Sequence, residues 1–228
     1  MSRIDELIRR RCPAGIPFKP LGEVSTFNRG TAITAREANP GNIPVVANGP
    51  VPTYTHSVSN RQGETIVIAR SGAYAGLVSY WNQPIFLTDA FSVHPDTTVL
   101  EPKFVYYLLG NNQDIVHSMK KGAGVPHVRV KEVEAYIIPI PPIEVQREIV
   151  KLLDTFSKLE AELEAELVAE LEARRLQYKF YRDQLLTFDD IIIPSKQASK
   201  QASKQASKQA SKQASKQASK HASKQDGF

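Results

Sequence analysis

"PPIEVQREIVKLLDTFSKLEAELEAELVAELEARRLQYKFYRDQLLTF", residues 141–188, reads as one long helix over 144–188, with Pro141 and Pro142 ending the strand before it. Val145, Ile149, Leu152, Phe156, Leu159 and Leu163 follow a 4-3-4-3-4 spacing, which makes a seam for a partner helix. At ~1.5 Å per residue the element is on the order of 65 Å long, more than one small domain can cover. Its middle, "LEAELEAELVAELEA" (159–173), sets Leu159, Leu163, Leu167 and Leu171 four apart. A four-residue step overshoots the 3.6-residue turn by about 40°, so this stripe drifts around the helix. Each unit adds roughly 6 Å of rod. The repeat is either a ruler or a solvated Glu-rich coiled coil without metric meaning.

Upstream, short β-rich runs are separated by Pro, Gly and Asn. "IPVVA" (43–47), "TIVIAR" (65–70), "GLVSYW" (76–81) and "AYIIPI" (135–140) read as strands. "PKFVYYLLGNNQDIVHSMKKG" (102–122) reads as a helix, with Pro102 near its start and Gly122 past its end. The fold class expected is α+β, one mixed domain over 1–143, then the long helix over 144–188, then a linker and tail over 189–228.

The 228 residues carry a net charge of +5, unevenly spread. Residues 1–143 hold 14 basic and 11 acidic side chains, 144–194 hold 7 and 12, and 195–228 hold 8 Lys against one Asp. The excess of positive charge therefore sits in the tail. The single cysteine, Cys12, excludes an internal disulfide and a cysteine-rich metal site. No apolar run approaches the ~18 residues that span a bilayer, and "MSRIDELIRRRC" lacks the apolar core of a signal peptide. A cytoplasmic protein with no membrane partner is expected.

Polar residues gather where strands give way to turns: Arg29 before Gly30, Asn48 before Gly49, and Arg70-Ser71-Gly72 with Tyr74 soon after. Arg and Asn make bidentate contacts with guanine and adenine edges, and Tyr meets phosphate or packs on a base. A second group, Lys120, Lys121, His127 and Arg129 around "GAGVPHVRV", offers cations beside Gly-rich backbone, a pattern suited to phosphates. The plainer alternatives are turn residues and a solvated helix end. "PDTTVLEPK" (95–103) formally spells a metal-nuclease pattern, but Asp96 and Glu101 lie too close in the chain to come from separate strands. No phosphate loop, H-E-x-x-H, G-x-S-x-G or Asn-Pro-Pro-Tyr motif is present. No catalytic residue, metal or cofactor is expected.

"FKPLGEVSTFNRG" (18–30), "NIPVVANG" (42–49), "IARSGAYAGLVSYWNQPIFLTDAFSVHP" (68–95), "GAGVPHVRVKEVEAYIIPIPPIEVQREIVKLLDTF" (122–156) and "RRLQYKFYRDQLLTF" (174–188) resemble the DNA-specificity subunit of type I restriction-modification systems. The resemblance implies a target recognition domain that reads one half of a bipartite double-stranded DNA sequence, followed by a spacer helix. It also implies methyltransferase (M) subunits and restriction (R) subunits as partners, with catalysis left to them. The usual subunit carries two such domain-helix pairs. This sequence has one, so it looks like half a subunit, and antiparallel self-association through the helix, Val145 to Leu171, would restore the arrangement. An inactive truncation that folds poorly because its helix seam is uncovered, a self-contained DNA-modifying enzyme and a coiled-coil adaptor are the competing readings.

From Ser195 the unit Ser-Lys-Gln-Ala runs seven times, with His221 replacing Gln in the last copy. A tail with so little apolar surface is expected to be disordered. Its eight Lys are either a phosphate-attracting arm or an accident of the gene. A four-nucleotide tandem read in triplets must encode a four-residue repeat, and AGCA encodes Ser-Lys-Gln-Ala. Slippage in such a tract shifts the frame, so phase variation is expected. Sequencing the gene tests this: a near-pure AGCA tandem is the expected result, and mixed synonymous codons exclude slippage.

Overall fold

The computed structural model describes residues 3–122, 125–187, 200–201 and 203–212. The chain divides into two compact units, Met1–Leu159 and Glu160–Phe228.

The first unit is built around β5 (Glu64–Ala69), whose residues from Thr65 to Ala69 are all buried. Successive side chains of a strand point to opposite faces, so an unbroken apolar run requires a core on each side. Both cores are present. Ile66 and Ile68 join Phe91, Val93, Phe104, Val105 and Leu109 on one face. Val67 joins Val46, Ile85, Leu87 and Ala90 on the other. β5 is central in an antiparallel sheet of order β2-β8-β5-β6, formed with β2 (Ser25–Arg29), β6 (Val78–Asn82) and β8 (Ala90–Pro95).

A second sheet joins β3 (Ile43–Val46) to β4 (Tyr54–His56) antiparallel and to β7 (Phe86–Leu87) parallel. A third pairs β1 (Phe18–Pro20) with β9 (Ile137–Pro139). The large core is roofed by α2 (Pro102–Asn111) and α3 (Gln113–Ser118), which replace the single helix expected over 102–122. The break follows Gly110, Asn111 and Asn112, all poor helix formers. Asn112 turns its side chain back onto the Leu108 carbonyl at 2.7 Å. Gln113 then reaches across to the Gly76 carbonyl and accepts the Val78 amide, fixing the start of β6. α1 (Arg3–Arg11) and α4 (Val130–Glu134) are short helices that the sequence reading did not assign.

After β9, α5 runs from Ile143 to Leu186. Gln146 anchors its first turn. The side chain is fully buried, accepts the Glu101 amide at 2.8 Å, and donates to the Val99 and Pro141 carbonyls at 2.9 and 2.7 Å. A second fastening lies two turns on. Asp154 accepts Lys103 Nζ at 2.7 Å and the Tyr107 hydroxyl at 2.5 Å. Arg3–Glu148 and Arg11–Glu144 pairs tie α1 to the same turns.

One part of the expected helix seam changes. Val145 is fully buried within its own unit and Ile149 packs on its own core, so neither is free for a partner helix. Apolar spacing alone does not tell a seam for another chain from one facing the helix's own domain. Leu152, Phe156, Leu159, Leu163, Leu167 and Leu171 are all exposed.

In the second unit, Leu176, Tyr178, Phe180, Tyr181, Leu185 and Leu186 are exposed as well. The described part of the tail, 200–201 and 203–212, is helical, with Ser203 and Ser207 donating to carbonyls three residues back. Ala, Lys and Gln favour helix locally even where no apolar stripe exists to bury. The rest of the repeat lies outside the described residues.

Two outcomes follow from the anchoring of α5. Gln146→Leu strands one amide and two carbonyls in the interior and should cost on the order of 3 kcal/mol in urea unfolding; a change under about 0.5 kcal/mol, as at an ordinary surface site, would remove Gln146 as the anchor. Burial alone would raise the pKa of Asp154, but hydrogen bonds from Lys103 and Tyr107 outweigh it and hold the carboxyl below its ordinary value. A depressed folded-state pKa contributes stability above the unfolded value that is lost as pH falls through the folded one. The melting temperature should therefore drop below about pH 4, and Asp154→Asn should flatten that acid limb; an unaltered limb would rule the contribution out.

Candidate nucleic-acid interface

The candidate site forms where β2 and β5 end side by side with the segment 121–131. β2 finishes at Arg29, opposite Phe91 of β8. The next residue must be glycine, because a Cβ on Gly30 would lie 2.0 Å from the Thr88 carbonyl oxygen. From below, Arg61 donates to the Arg29 carbonyl at 2.8 Å, the Asn28 carbonyl at 3.2 Å, the Asn60 carbonyl at 2.7 Å and Ser92 Oγ at 2.7 Å. These acceptors are neutral, and burial lowers the pKa of this guanidinium. It serves as a brace for the strand end that carries Arg29.

β5 ends at Ala69, and the next residues are clamped by one carboxylate. Asp89 Oδ1 accepts Arg70 Nε at 2.9 Å. Its Oδ2 accepts Asn48 Nδ2 at 2.6 Å and Ser71 Oγ at 2.5 Å. Asn48 closes the ring, with Nδ2 donating to Ser71 Oγ at 2.9 Å and Oδ1 accepting the Ser71 amide at 3.3 Å. Burial works to raise the Asp89 pKa, but the Asn48 and Ser71 hydrogen bonds and the charge of Arg70 prevail and lower it.

The 121–131 segment docks on this strand end. The Val128 amide donates to the Arg70 carbonyl at 2.9 Å and the Gly72 amide to the Pro126 carbonyl at 3.3 Å. Lys121 and His127 exchange backbone bonds of 2.9 and 3.0 Å. Gly122 takes a φ of 124° beside them, in the region open to glycine.

The result is a cleft of about 530 Å³ with a floor of Phe91, Val128 and Val130 and a rim of Arg29, Arg70, Lys121, His127, Arg129 and Lys131. Among the described residues, no acidic side chain lines it. Lys121 pairs with Glu132 at 3.0 Å and Arg70 with Asp89. Among the described residues, Arg29, Arg129 and Lys131 have no carboxylate within salt-bridge distance, and all three are exposed. Cations gathered around a concave, half-apolar surface are chemically suited to a polyanion.

The structure thus brings together Arg29, Arg70, Lys121, His127 and Arg129 from three separate stretches of sequence. Asn48 and Ser71 stand behind the cleft with their polar atoms engaged in the Asp89 ring, which assigns them to positioning. Tyr74 is half exposed and Lys120 partly buried, and neither lines the cleft. Sequence reasoning missed Lys131, Arg61 and Asp89. Lys131 follows Arg129 by two residues and was within reach of the same reading; Asp89 meets partners 41, 19 and 18 residues away and carried no local signal. The nuclease-like triad is dispersed: Asp96 caps Thr98, Glu101 pairs with Arg147, and Lys103 pairs with Asp154. Among the described residues, no group of three or more His, Cys, Asp or Glu side chains is arranged to hold a metal ion, and no helix is long and apolar enough to cross a membrane.

Two solved structures share the fold: an S subunit of a type I restriction-modification system from M. genitalium, with a TM-score of 0.60 at 23% identity over 73% of this chain and 46% of that one, and the HsdS subunit of Thermoanaerobacter tengcongensis, with a TM-score of 0.54 at 24% identity over 79% and 49%. A putative type I restriction enzyme specificity subunit of Haemophilus influenzae is 32% identical over 187 residues, 77% of this chain and 47% of the relative. The MpnII specificity subunit of Mycoplasma pneumoniae is 29% identical over 206 residues, 80% of this chain and 57% of the relative. The chain spans about half the length of these relatives. Residues 13–173 match the family model described as the type I restriction modification DNA specificity domain, and the chain belongs to that family.

Proposed function

We propose that this chain is the non-catalytic DNA-reading component of a type I restriction-modification system, in which residues 1–143 read one half of a bipartite duplex target and the helix over 144–188 sets the distance to the other half. The cationic cleft between β2, β5 and residues 121–122 and 125–131 carries the reading, because its rim is cationic and no acidic side chain among the described residues lines it. Methyltransferase and restriction subunits would act on the DNA so selected, in the cytoplasm and without a cofactor bound to this chain. Relatives named as specificity subunits of type I restriction enzymes support the assignment.

Two copies are proposed to pair antiparallel along α5. Leu152, Phe156, Leu159, Leu163, Leu167 and Leu171 expose between 44% and 58% of their surface along one element. Covering such side chains with a second helix is the ordinary way to stabilise them. A two-fold pair places identical clefts at its two ends, so the target is a pair of inverted half-sites with a fixed gap.

Light scattering on the eluting chain at micromolar concentration should give twice the mass of one chain, and Leu163→Glu with Leu167→Glu should return it to one; a wild-type monomer would dismiss the pairing. Fluorescence anisotropy on target duplex over a salt series should show Arg129→Ala and Lys131→Ala each weakening binding and lowering the salt slope by about 1. Wild-type slopes in both variants would place the phosphate contacts elsewhere.

A further inference from the structure

We propose that Arg70 reads a guanine in the half-site and that Asp89 is the positioning residue that aims it. The inference rests on the DNA-reading function proposed above and adds the base class to it.

Arg70 differs from the other cations of the cleft in how it is held. Asp89 engages it through Nε at 2.9 Å, and among the described residues its Nη1 and Nη2 have no other side-chain or backbone acceptor. That arrangement leaves the end of the guanidinium as a planar edge of two parallel donors. Lys121 also has a carboxylate partner, Glu132, but there the single ammonium is engaged and no planar edge remains. Arg129 and Lys131 are exposed and unheld, as befits contacts to phosphates, which carry no sequence information.

The clamp is itself held by hydrogen bonds. The second oxygen of Asp89 is fixed by Asn48 and Ser71, and Ser71 is 7% exposed. A side chain already fixed in this way loses less rotamer freedom when it docks.

An edge of two donors selects one base. In the major groove guanine shows two acceptors, O6 and N7, whereas adenine shows one acceptor and one donor, cytosine a donor, and thymine one acceptor with a methyl group. Only guanine satisfies both nitrogens of Arg70. Lysine substitutes poorly, because its ammonium is a point charge without the planar fork that Asp89 aims.

The test is selection from a randomised duplex library by the full chain assembled with methyltransferase subunits. The wild type should enrich a motif with an invariant G·C pair in each half-site. Arg70→Lys should flatten that position alone, with discrimination falling about 5- to 150-fold. Asp89→Asn should weaken preference at the same position and leave the others intact, whereas a merely structural Asp89 would degrade every position together. Asp89→Asn touches a part-buried ring, so if it does not fold the Arg70→Lys result decides. An intact wild-type motif from Arg70→Lys, or a uniform loss across all positions as a phosphate contact would give, overturns the guanine assignment alone. A wild-type assembly that enriches no motif overturns the DNA-reading function and this inference with it.

Discussion

Three segments distant in the sequence meet at the carboxylate of Asp89, and the geometry of the cleft depends on that meeting. The loop after β3 supplies Asn48, the end of β5 supplies Arg70 and Ser71, and the turn between β7 and β8 supplies Asp89 itself. A carboxylate with four acceptor sites is suited to such a junction, since it can take donors from several directions and is stronger for being ionised. Backbone bonds to Pro126 and Val128 dock the strand end, and the carboxylate gives the Arg70 side chain its fixed bearing in the cleft. The pairing of Ser71 with His127 then carries the constraint to the opposite wall.

The two cores divide the work of holding that junction. β5 is buried on both faces, so its end moves only if the whole sheet moves. Arg61 braces the neighbouring strand end from beneath through neutral oxygens. Rigid elements thus carry the residues proposed to read bases, while Arg129 and Lys131 sit where exposure leaves them free to follow a flexible backbone. The start of α5 is fixed to the same body by the Gln146 and Asp154 anchors, so the proposed spacing element begins at a defined place and direction within the first unit.

Much of this was legible in the sequence, for identifiable reasons. The run "TIVIAR" betrays a strand buried on both sides, and Arg70 ends that run, so its position at a strand terminus was readable. The long helix announced itself by spacing. Other features were hidden: β1 ends in a proline at a paired position, Pro20, and composition argues against a strand there, whereas β9 lies within the run "AYIIPI" that reads as a strand despite Pro139. Asp89 was invisible because a lone acidic residue between Thr88 and Ala90 gives no hint of partners far along the chain. Val145 misled for the opposite reason, since a helix that first packs on its own domain and then extends its apolar spacing shows one continuous pattern for two different surfaces.

The proposed reading of DNA requires the duplex to lie in the cleft, and amide hydrogen exchange of the full chain with and without target DNA measures that directly. Slowed exchange at Arg70–Gly72 and across 125–131, with little change on α1, is the predicted result. Protection confined to α1 or the outer face of β6, with the cleft exchanging as in the free protein, would contradict it.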